Sequence, residues 1–125
     1  MVCLDTNVVI DFMRGSAKVI NAVKSHSAKE PVAITAITLY ELFRGANELQ
    51  LQSVFDFVSA TNIYGFGDKE AIEASKMYKR VKAEGKLVGE NDILIAGIIA
   101  ANNEVLLTED VDFRRLLDKD NLVLI

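Results

Sequence analysis

Acidic side chains recur along this sequence where short apolar runs end. The four that stand out are Asp5, Glu41, Asp92 and Asp110, with Asp112 as a further candidate beside Asp110. Carboxylates gathered at one place repel one another and raise one another's pKa values unless a cation lies between them. Carboxylate oxygens are also the ligands that Mg²⁺ and Mn²⁺ prefer. The set therefore predicts a divalent metal site that could activate water for attack on a phosphate ester.

Each acid also has an ordinary structural explanation. Asp5, Asp92 and Asp110 could each accept hydrogen bonds at the start of a helix, which contributes about 1 kcal/mol to stability. Glu41 lies in the middle of a helical pattern among apolar neighbours. A buried carboxylate there needs a partner, and Arg44, three residues further along the same helix, could supply one.

The available ligand types narrow the choice of metal. The chain has one histidine, His26, and one cysteine, Cys3, so a tetrahedral zinc site of nitrogen and sulfur ligands lacks its donors. Cys3 has no partner for a disulfide within the chain and lies in an apolar run, so we expect it to be a core residue without chemistry. The expected cofactor is Mg²⁺ or Mn²⁺.

The elements that must position these acids are short strands alternating with helices. Strands are predicted at 2–4, 32–35, 61–66, 105–107 and 121–125, with helical patterns between them. This alternation is typical of a parallel sheet with right-handed crossovers. We therefore expect an α/β fold: one domain over residues 1–125, a three-layer α/β/α sandwich around a central, mainly parallel five-stranded sheet. Ligands of such sheets bind beyond the carboxyl ends of the strands, where most of the acids are predicted to lie.

Charge and hydropathy exclude several classes of protein. The 14 basic and 18 acidic residues give a net charge of -4, which argues against nucleic-acid binding by bulk positive charge alone. A nuclease that brings its positive charge as bound cations remains possible. The only dense basic run, 76–86, falls on the outer face of a predicted helix. No apolar run reaches the 18 to 20 residues of a membrane span, and the first residues do not resemble a secretory signal, so we expect a cytoplasmic protein.

Four segments carry a family resemblance when they are taken together and in this order. They are LDTNVVIDFMRG at 4–15, TLYELFRGA at 38–46, NDILIAGIIA at 91–100 and LLTEDVDF at 106–113. In these segments the chain resembles the PIN domain, most closely the VapC-type toxin subunits of prokaryotic VapBC toxin-antitoxin pairs. The likeness extends over the whole chain.

The resemblance implies a metal-dependent endoribonuclease that leaves a 5′-phosphate and a 3′-hydroxyl. By motif position it makes Asp5, Glu41, Asp92 and Asp110 the catalytic, metal-binding acids, with Asp112 as a substitute ligand. It also implies that Thr6 and Asn7 orient the first acid and that Thr108 does likewise.

Substrate and partners follow from the same resemblance. It implies RNA as the substrate, with Arg14, Arg44 and Arg114 as candidate phosphate contacts, although the ordinary explanation, a solvated surface charge, is favoured for each. It also implies a homodimer and an antitoxin whose C-terminal segment lies across the site. Neither the RNA target nor the number of metal ions follows from the residues.

Other functions stay open at this point. A flap-endonuclease-like enzyme would use clustered acids and Mg²⁺ as well, but it usually needs more carboxylates and a long arch insertion. A non-toxin RNA-processing PIN nuclease and an inactive, purely interacting homologue are further alternatives. A phosphoacceptor receiver domain needs an acid at the end of its third strand, where this chain has Tyr64, Gly65 and Phe66.

Overall fold

The computed structural model describes all 125 residues and contains one five-stranded sheet. Its strands are β1 (Val2–Leu4), β2 (Val32–Thr35), β3 (Asn62–Tyr64), β4 (Val105–Thr108) and β5 (Leu122–Leu124). Their order is β3-β2-β1-β4-β5, and every neighbouring pair is parallel. The α/β prediction is confirmed, and the sheet is parallel throughout.

Six α-helices connect the strands. They are α1 (Thr6–Met13), α2 (Ala17–Ser27), α3 (Ala36–Gly45), α4 (Leu51–Ser59), α5 (Asp68–Ala83) and α6 (Glu90–Ala101), with 3₁₀ turns at Val111–Arg115 and Lys119–Asn121. The first two helices are separated at Gly15, whose φ of +87° favours a residue without a side chain. None of these helices combines the length and the apolar character needed to cross a lipid bilayer.

Apolar side chains cover both faces of the sheet, as the three-layer prediction requires. In β1, Val2 and Leu4 point to one face, where they pack with residues of α1, α2, α3 and α4. Cys3 points to the other face and packs with α5 and α6. Burial raises the pKa of the Cys3 thiol to about 12, so the thiol stays protonated and serves as a core residue, as predicted.

The order of the strands reverses next to β1. The chain lays β2 and β3 on one side of β1, then returns to lay β4 and β5 on its other side. The crevice of a parallel sheet opens where the order reverses, here between the carboxyl ends of β1 and β4. The backbone N–H of Asp5 donates to the Leu107 carbonyl at 3.0 Å, so pairing between these two strands continues up to the first acid.

Helix α6 is apolar on nearly all sides because it is enclosed by the sheet and α5. Six of its residues from Ile93 to Ile99 are buried. A Cβ atom added at Gly97 would lie 2.7 Å from the Ala74 Cβ and 2.9 Å from the Ala74 backbone. The two helices therefore touch backbone to backbone at this point.

Two local expectations differ from the structure. The third strand is shorter than predicted, at Asn62–Tyr64. The sequence pattern also places Leu49 on the buried stripe of the fourth helix, but Leu49 is 92% exposed and precedes that helix. The turn before α4 is closed instead by Asn47 and Gln50, each of which accepts the backbone N–H of the other through its side chain. Such local side-chain bonds compete with helix formation.

Replacement of Gly97 by alanine should test the close contact between α5 and α6. We expect Gly97→Ala to lower the free energy of unfolding by about 1–3 kcal/mol, because the added methyl group overlaps the Ala74 backbone. The matched control is Gly45→Ala, where an added Cβ meets no atom within 4 Å. It should leave stability unchanged or raise it by about 0.5–1 kcal/mol. Urea unfolding curves measure both, and equal stability of the two variants would contradict the contact.

Candidate active site

Asp5 is held at the crevice by hydrogen bonds to both of its oxygens. As the N-cap of α1, it accepts the backbone N–H of Thr6 at Oδ1, at 2.9 Å. The Thr108 hydroxyl at the end of β4 donates to its other oxygen, Oδ2, at 2.7 Å. The side chain is 5% exposed, and burial raises its pKa while these two hydrogen bonds oppose the rise. Thr108 therefore contacts the first acid directly, and the orienting role that the resemblance gives it stays a prediction.

The Thr6 side chain is bonded to a different acid from the one predicted. Its hydroxyl donates to Glu41 Oε1 at 2.7 Å, and only its backbone N–H contacts Asp5. Asn91 donates its side-chain N–H to the second oxygen, Glu41 Oε2, at 3.4 Å. Glu41 therefore faces the crevice from α3, tied to α1 through Thr6 and to α6 through Asn91.

Asp92 is the acid that the fold leaves without a partner. It lies in the first turn of α6, half-buried, and no group of the protein donates a hydrogen bond to it or forms an ion pair with it. Burial is the largest cause that raises its pKa to about 6. The further causes are the charges of the neighbouring acids Asp5, Asp110, Glu41 and Asp112. The predicted acids therefore lie close enough to repel one another.

Asp110 and Asp112 differ in position although they are two residues apart. Asp110 is partly buried and caps the 3₁₀ turn, where its Oδ1 accepts the Asp112 backbone N–H at 2.9 Å. The backbone N–H of Asp110 donates to Thr108 Oγ1 at 3.0 Å, so one threonine hydroxyl links Asp110 to Asp5. Asp112 is exposed. Asp110 is the better placed of the two to act with Asp5.

The acids lie along one edge of the sheet, but their carboxylates do not converge on one position. No three histidine, cysteine, aspartate or glutamate side chains are arranged so that they could hold a metal ion between them as they stand. Their donor atoms are all carboxylate oxygens, while His26 lies in α2 and Cys3 in the core. In chemistry this donor set fits a hard cation such as Mg²⁺ and does not fit tetrahedral zinc.

An acidic cleft of about 510 Å³ opens in front of Asp5. It is lined by Asp5, Asn7, Ile10, Asp11, Arg14, Glu109 and Asp110. Asn7 makes no hydrogen bond to Asp5, and the orienting role that the resemblance gives it stays a prediction. Its exposed side chain lies on the cleft wall instead, because the N–H group that Asp5 accepts is the Thr6 backbone.

Sequence reasoning missed two acids of the acidic cleft. A hydrogen bond with Asp11 is the largest cause that raises the pKa of Glu109, and Lys18, 3.9 Å from Glu109, opposes it. Asp11 lies four residues after Asn7, one helical turn away, and this spacing could have identified it. No pattern distinguishes Glu109, which lies in the loop after β4.

The three predicted arginines have different surroundings. Arg14 lines the acidic cleft, as a phosphate contact would. Arg44 lies 4.0 Å from Glu41 Oε2, and its guanidinium stacks over the Tyr40 ring at 5.2 Å from the ring centroid. Arg114 lines a separate surface hollow beside Leu117 and Leu122.

The basic run of α5 lies on the solvent-exposed face of that helix, as expected for ordinary surface charges. Its lysines are exposed, with Lys76 paired to Glu73 and Lys82 placed over the Tyr78 ring. Arg80 instead donates to two backbone carbonyls, at Arg115 and Leu116, and secures the 3₁₀ turn after β4.

A second depression, which we call the apolar hollow, shares Ile10 and Arg14 with the acidic cleft. Its volume is about 480 Å³, and it is lined by Ile10, Met13, Arg14, Glu41, Leu42, Gly45, Ala46, Gln50, Ser53, Val54 and Phe57. Glu41 and Arg14 lie on its wall, so a chain bound in the apolar hollow would contact one of the predicted acids.

Comparisons with known proteins agree on one family. A PIN domain model matches residues 2–119. Ribonuclease VapC3 of Methanocaldococcus jannaschii is 32% identical over 95 residues, which cover 76% of this chain and 94% of the relative. Ribonuclease VapC2 of Haemophilus influenzae is 28% identical over 121 residues, 91% of this chain and 90% of its own.

The fold has solved counterparts as well. A chain in the crystal structure of VapBC2 from Rickettsia felis, bound to a DNA fragment from its promoter, superimposes with a TM-score of 0.82. The two chains are 26% identical, and the match covers 100% of this chain and 98% of the other. The resemblance identified from the four segments is confirmed.

Stability should depend on pH through Asp92. Its pKa rises from the ordinary 3.8 to about 6 in the folded protein, so the unfolded chain loses this proton first as the pH rises. The folded state therefore loses stability as the pH rises from about 4 to 6 and does not regain it at higher pH. We expect Asp92→Asn to stabilise the metal-free protein by about 1 kcal/mol at pH 7.5, a figure reduced for solvent screening, and to have no such effect at pH 4.

The control for this measurement is Asp120→Asn, which removes one negative charge from an exposed 3₁₀ turn. Thermal melts in metal-free buffer at both pH values distinguish the two variants. If Asp92→Asn melts at a lower temperature than the parent at pH 7.5, the carboxylate is stabilised rather than strained by its surroundings.

Proposed function

This chain belongs to the PIN domain family, and from that membership we propose that it is a Mg²⁺- or Mn²⁺-dependent endoribonuclease. It would hydrolyse phosphodiester bonds of RNA with a metal-activated water and act as the toxin of a toxin-antitoxin pair. The observation that carries the proposal is that Asp5, Glu41, Asp92 and Asp110 lie along one sheet edge, where burial and, after it, the charges of the other acids raise the pKa of Asp92. Relatives named as VapC ribonucleases support the reaction class.

The donor set supports a hard divalent cation at this edge. Mg²⁺ usually keeps several waters and binds through one or two carboxylates rather than through a cage of protein ligands. An ion held in this way does not require three converging acids. Of Asp5, Glu41, Asp92 and Asp110, one or two would bind the ion directly and the others through its waters, with Asp112 as an outer partner. When bound, the ion supplies a lowered pKa for its water and neutralises charge on the phosphate.

The chain's own residues would perform separate tasks around that ion. Two threonine hydroxyls fix the acids, since Thr108 donates to Asp5 and Thr6 donates to Glu41. Asp92, to which no group of the protein donates a hydrogen bond, is the acid that would gain most from the ion, because a bound cation offsets the burial and the neighbouring charges that raise its pKa. Glu41, fixed on two sides, would keep the edge negative enough to attract the ion.

Substrate contacts would come from cations at the rim of the acidic cleft. Arg14 lies on its wall and could bind a backbone phosphate, and Arg44 is held beside Glu41 by the Tyr40 ring. Arg114 would contact RNA only beyond the cleft. The net charge of -4 leaves little attraction for RNA without bound cations. RNA affinity should therefore depend on the metal.

An antitoxin partner is supported by the VapBC complexes among the similar structures. The apolar hollow could accept an apolar segment of such a partner, and Glu41 and Arg14 on its wall would then be covered. We further propose that the protein is a cytoplasmic homodimer, an assignment that follows from the family resemblance.

Removal of the charge of Asp5 or of Asp92 should strongly reduce RNA cleavage. We expect Asp5→Asn and Asp92→Asn each to reduce Mn²⁺-stimulated cleavage of a fluorogenic single-stranded RNA by at least about 100-fold, because each removes a charged ligand at nearly constant volume. Asp56→Asn, an exposed acid on α4, is the matched control and should cleave normally. Circular dichroism checks the fold of all three.

Two outcomes would count against the assignment. Retained cleavage in both acid variants would remove the acids from the reaction. Cleavage of a flapped DNA substrate but not of RNA would favour the flap-endonuclease alternative.

The apolar hollow should be needed for the antitoxin and not for cleavage. We expect Ser53→Arg to weaken the complex with the proposed antitoxin by at least about tenfold, because a charge enters an apolar site. Ser59→Arg lies on the same helix but outside the hollow and should bind normally. Titration calorimetry measures the affinity of both variants for the antitoxin. Equal affinities would indicate that the antitoxin binds at another surface.

A further inference from the structure

Thr38 is a buried threonine whose side chain contacts the site indirectly. It lies in the first turn of α3 with no exposed surface. Its backbone N–H donates to the Thr35 hydroxyl oxygen at 3.1 Å, and its own Oγ1 lies 3.0 Å from Thr6 Oγ1. That contact is the only hydrogen bond of the Thr38 hydroxyl.

The direction of this hydrogen bond follows from counting protons. A carboxylate only accepts, so the single hydroxyl proton of Thr6 is donated to Glu41 at 2.7 Å. The contact between the two threonine oxygens must then use the proton of Thr38. The result is a directed chain in which Thr38 donates to Thr6 and Thr6 donates to Glu41.

We propose that Thr38 is a positioning residue for Glu41 that acts entirely through Thr6, a proposal that rests on the proposed function. A hydroxyl that accepts one hydrogen bond becomes a stronger donor in the next, so the buried proton of Thr38 strengthens the bond from Thr6 to Glu41. It also stops the Thr6 hydroxyl from rotating. Glu41 is thereby held toward the acids of β1 and α6.

Packing alone does not explain a threonine at this position. A buried hydroxyl without a partner costs about 1–3 kcal/mol, and valine would fill the same space without that penalty. A threonine within a helix commonly bonds to a backbone carbonyl of the preceding turn, and Thr38 makes no such bond. Thr6 is therefore the group that satisfies Thr38.

The test removes the hydroxyl and then restores it. Thr38→Val keeps the shape and removes the proton, Thr38→Ser keeps the proton, and Thr61→Val is a matched control whose lost hydroxyl bonds only to the Val58 carbonyl. Mn²⁺ affinity is measured by titration calorimetry on the full chain, and kcat and KM are measured on a fluorogenic RNA. Should Thr38→Val fail to fold by circular dichroism, Thr38→Ala receives the same measurements.

We expect Thr38→Val to lower kcat and weaken Mn²⁺ binding by about tenfold each, with KM changed less than twofold, as for residues that orient metal ligands. Thr38→Ser and Thr61→Val should stay within twofold of the parent. Because Thr38 acts through Thr6, Thr6→Val combined with Thr38→Val should lose no more than Thr6→Val alone. Additive losses, equal losses in the serine and valine variants, or kcat and Mn²⁺ affinity both within twofold in Thr38→Val would each overturn the proposal.

These measurements also separate the proposal from the proposed function. A parent protein that binds Mn²⁺ without cleaving RNA would defeat the proposed function, while the loss of Mn²⁺ affinity in Thr38→Val would still support the hydroxyl chain. A parent that cleaves RNA, together with an unaffected Thr38→Val, would defeat the hydroxyl chain alone. A parent that neither binds Mn²⁺ nor cleaves RNA would overturn both.

Discussion

Repulsion between carboxylates that cannot move apart is the constraint on which this structure depends. Asp5, Glu41, Asp92 and Asp110 come from four different segments, and the reversal of strand order beside β1 brings them to one edge. The fold compensates two of them through threonine hydroxyls and leaves Asp92 uncompensated. A protein selected for stability alone would have little reason to keep such an arrangement, and local conflicts of this kind mark functional sites.

Backbone position and side-chain contact were not equally predictable. The alternation of apolar runs and helical spacing was sufficient to predict a parallel sheet, its three layers and the edge where the acids lie. Those features depend on periodicity, which is local in the sequence. The order of the strands is not local in this sense, and periodicity did not predict it.

The errors concern side chains that choose between partners distant in the sequence. Thr6 bonds to Glu41, 35 residues away, because α3 packs beside α1, and no local pattern reports that contact. Asn7 differs for a local reason: it makes no hydrogen bond to Asp5, because the backbone N–H of the neighbouring Thr6 already donates to that carboxylate. Asp11 and Glu109 were overlooked because their pairing forms only when α1 and the loop after β4 meet.

The position of Thr108 determines which motions of the protein can separate two of the acids. One fully buried oxygen on a central strand both donates to Asp5 and accepts from the backbone of Asp110. Central strands open to solvent only when the whole domain unfolds, whereas loops exchange their amide hydrogens through small local openings. The distance between Asp5 and Asp110 is therefore maintained for as long as the sheet stays folded. The sheet edge that carries the acids keeps its arrangement while the surrounding loops fluctuate.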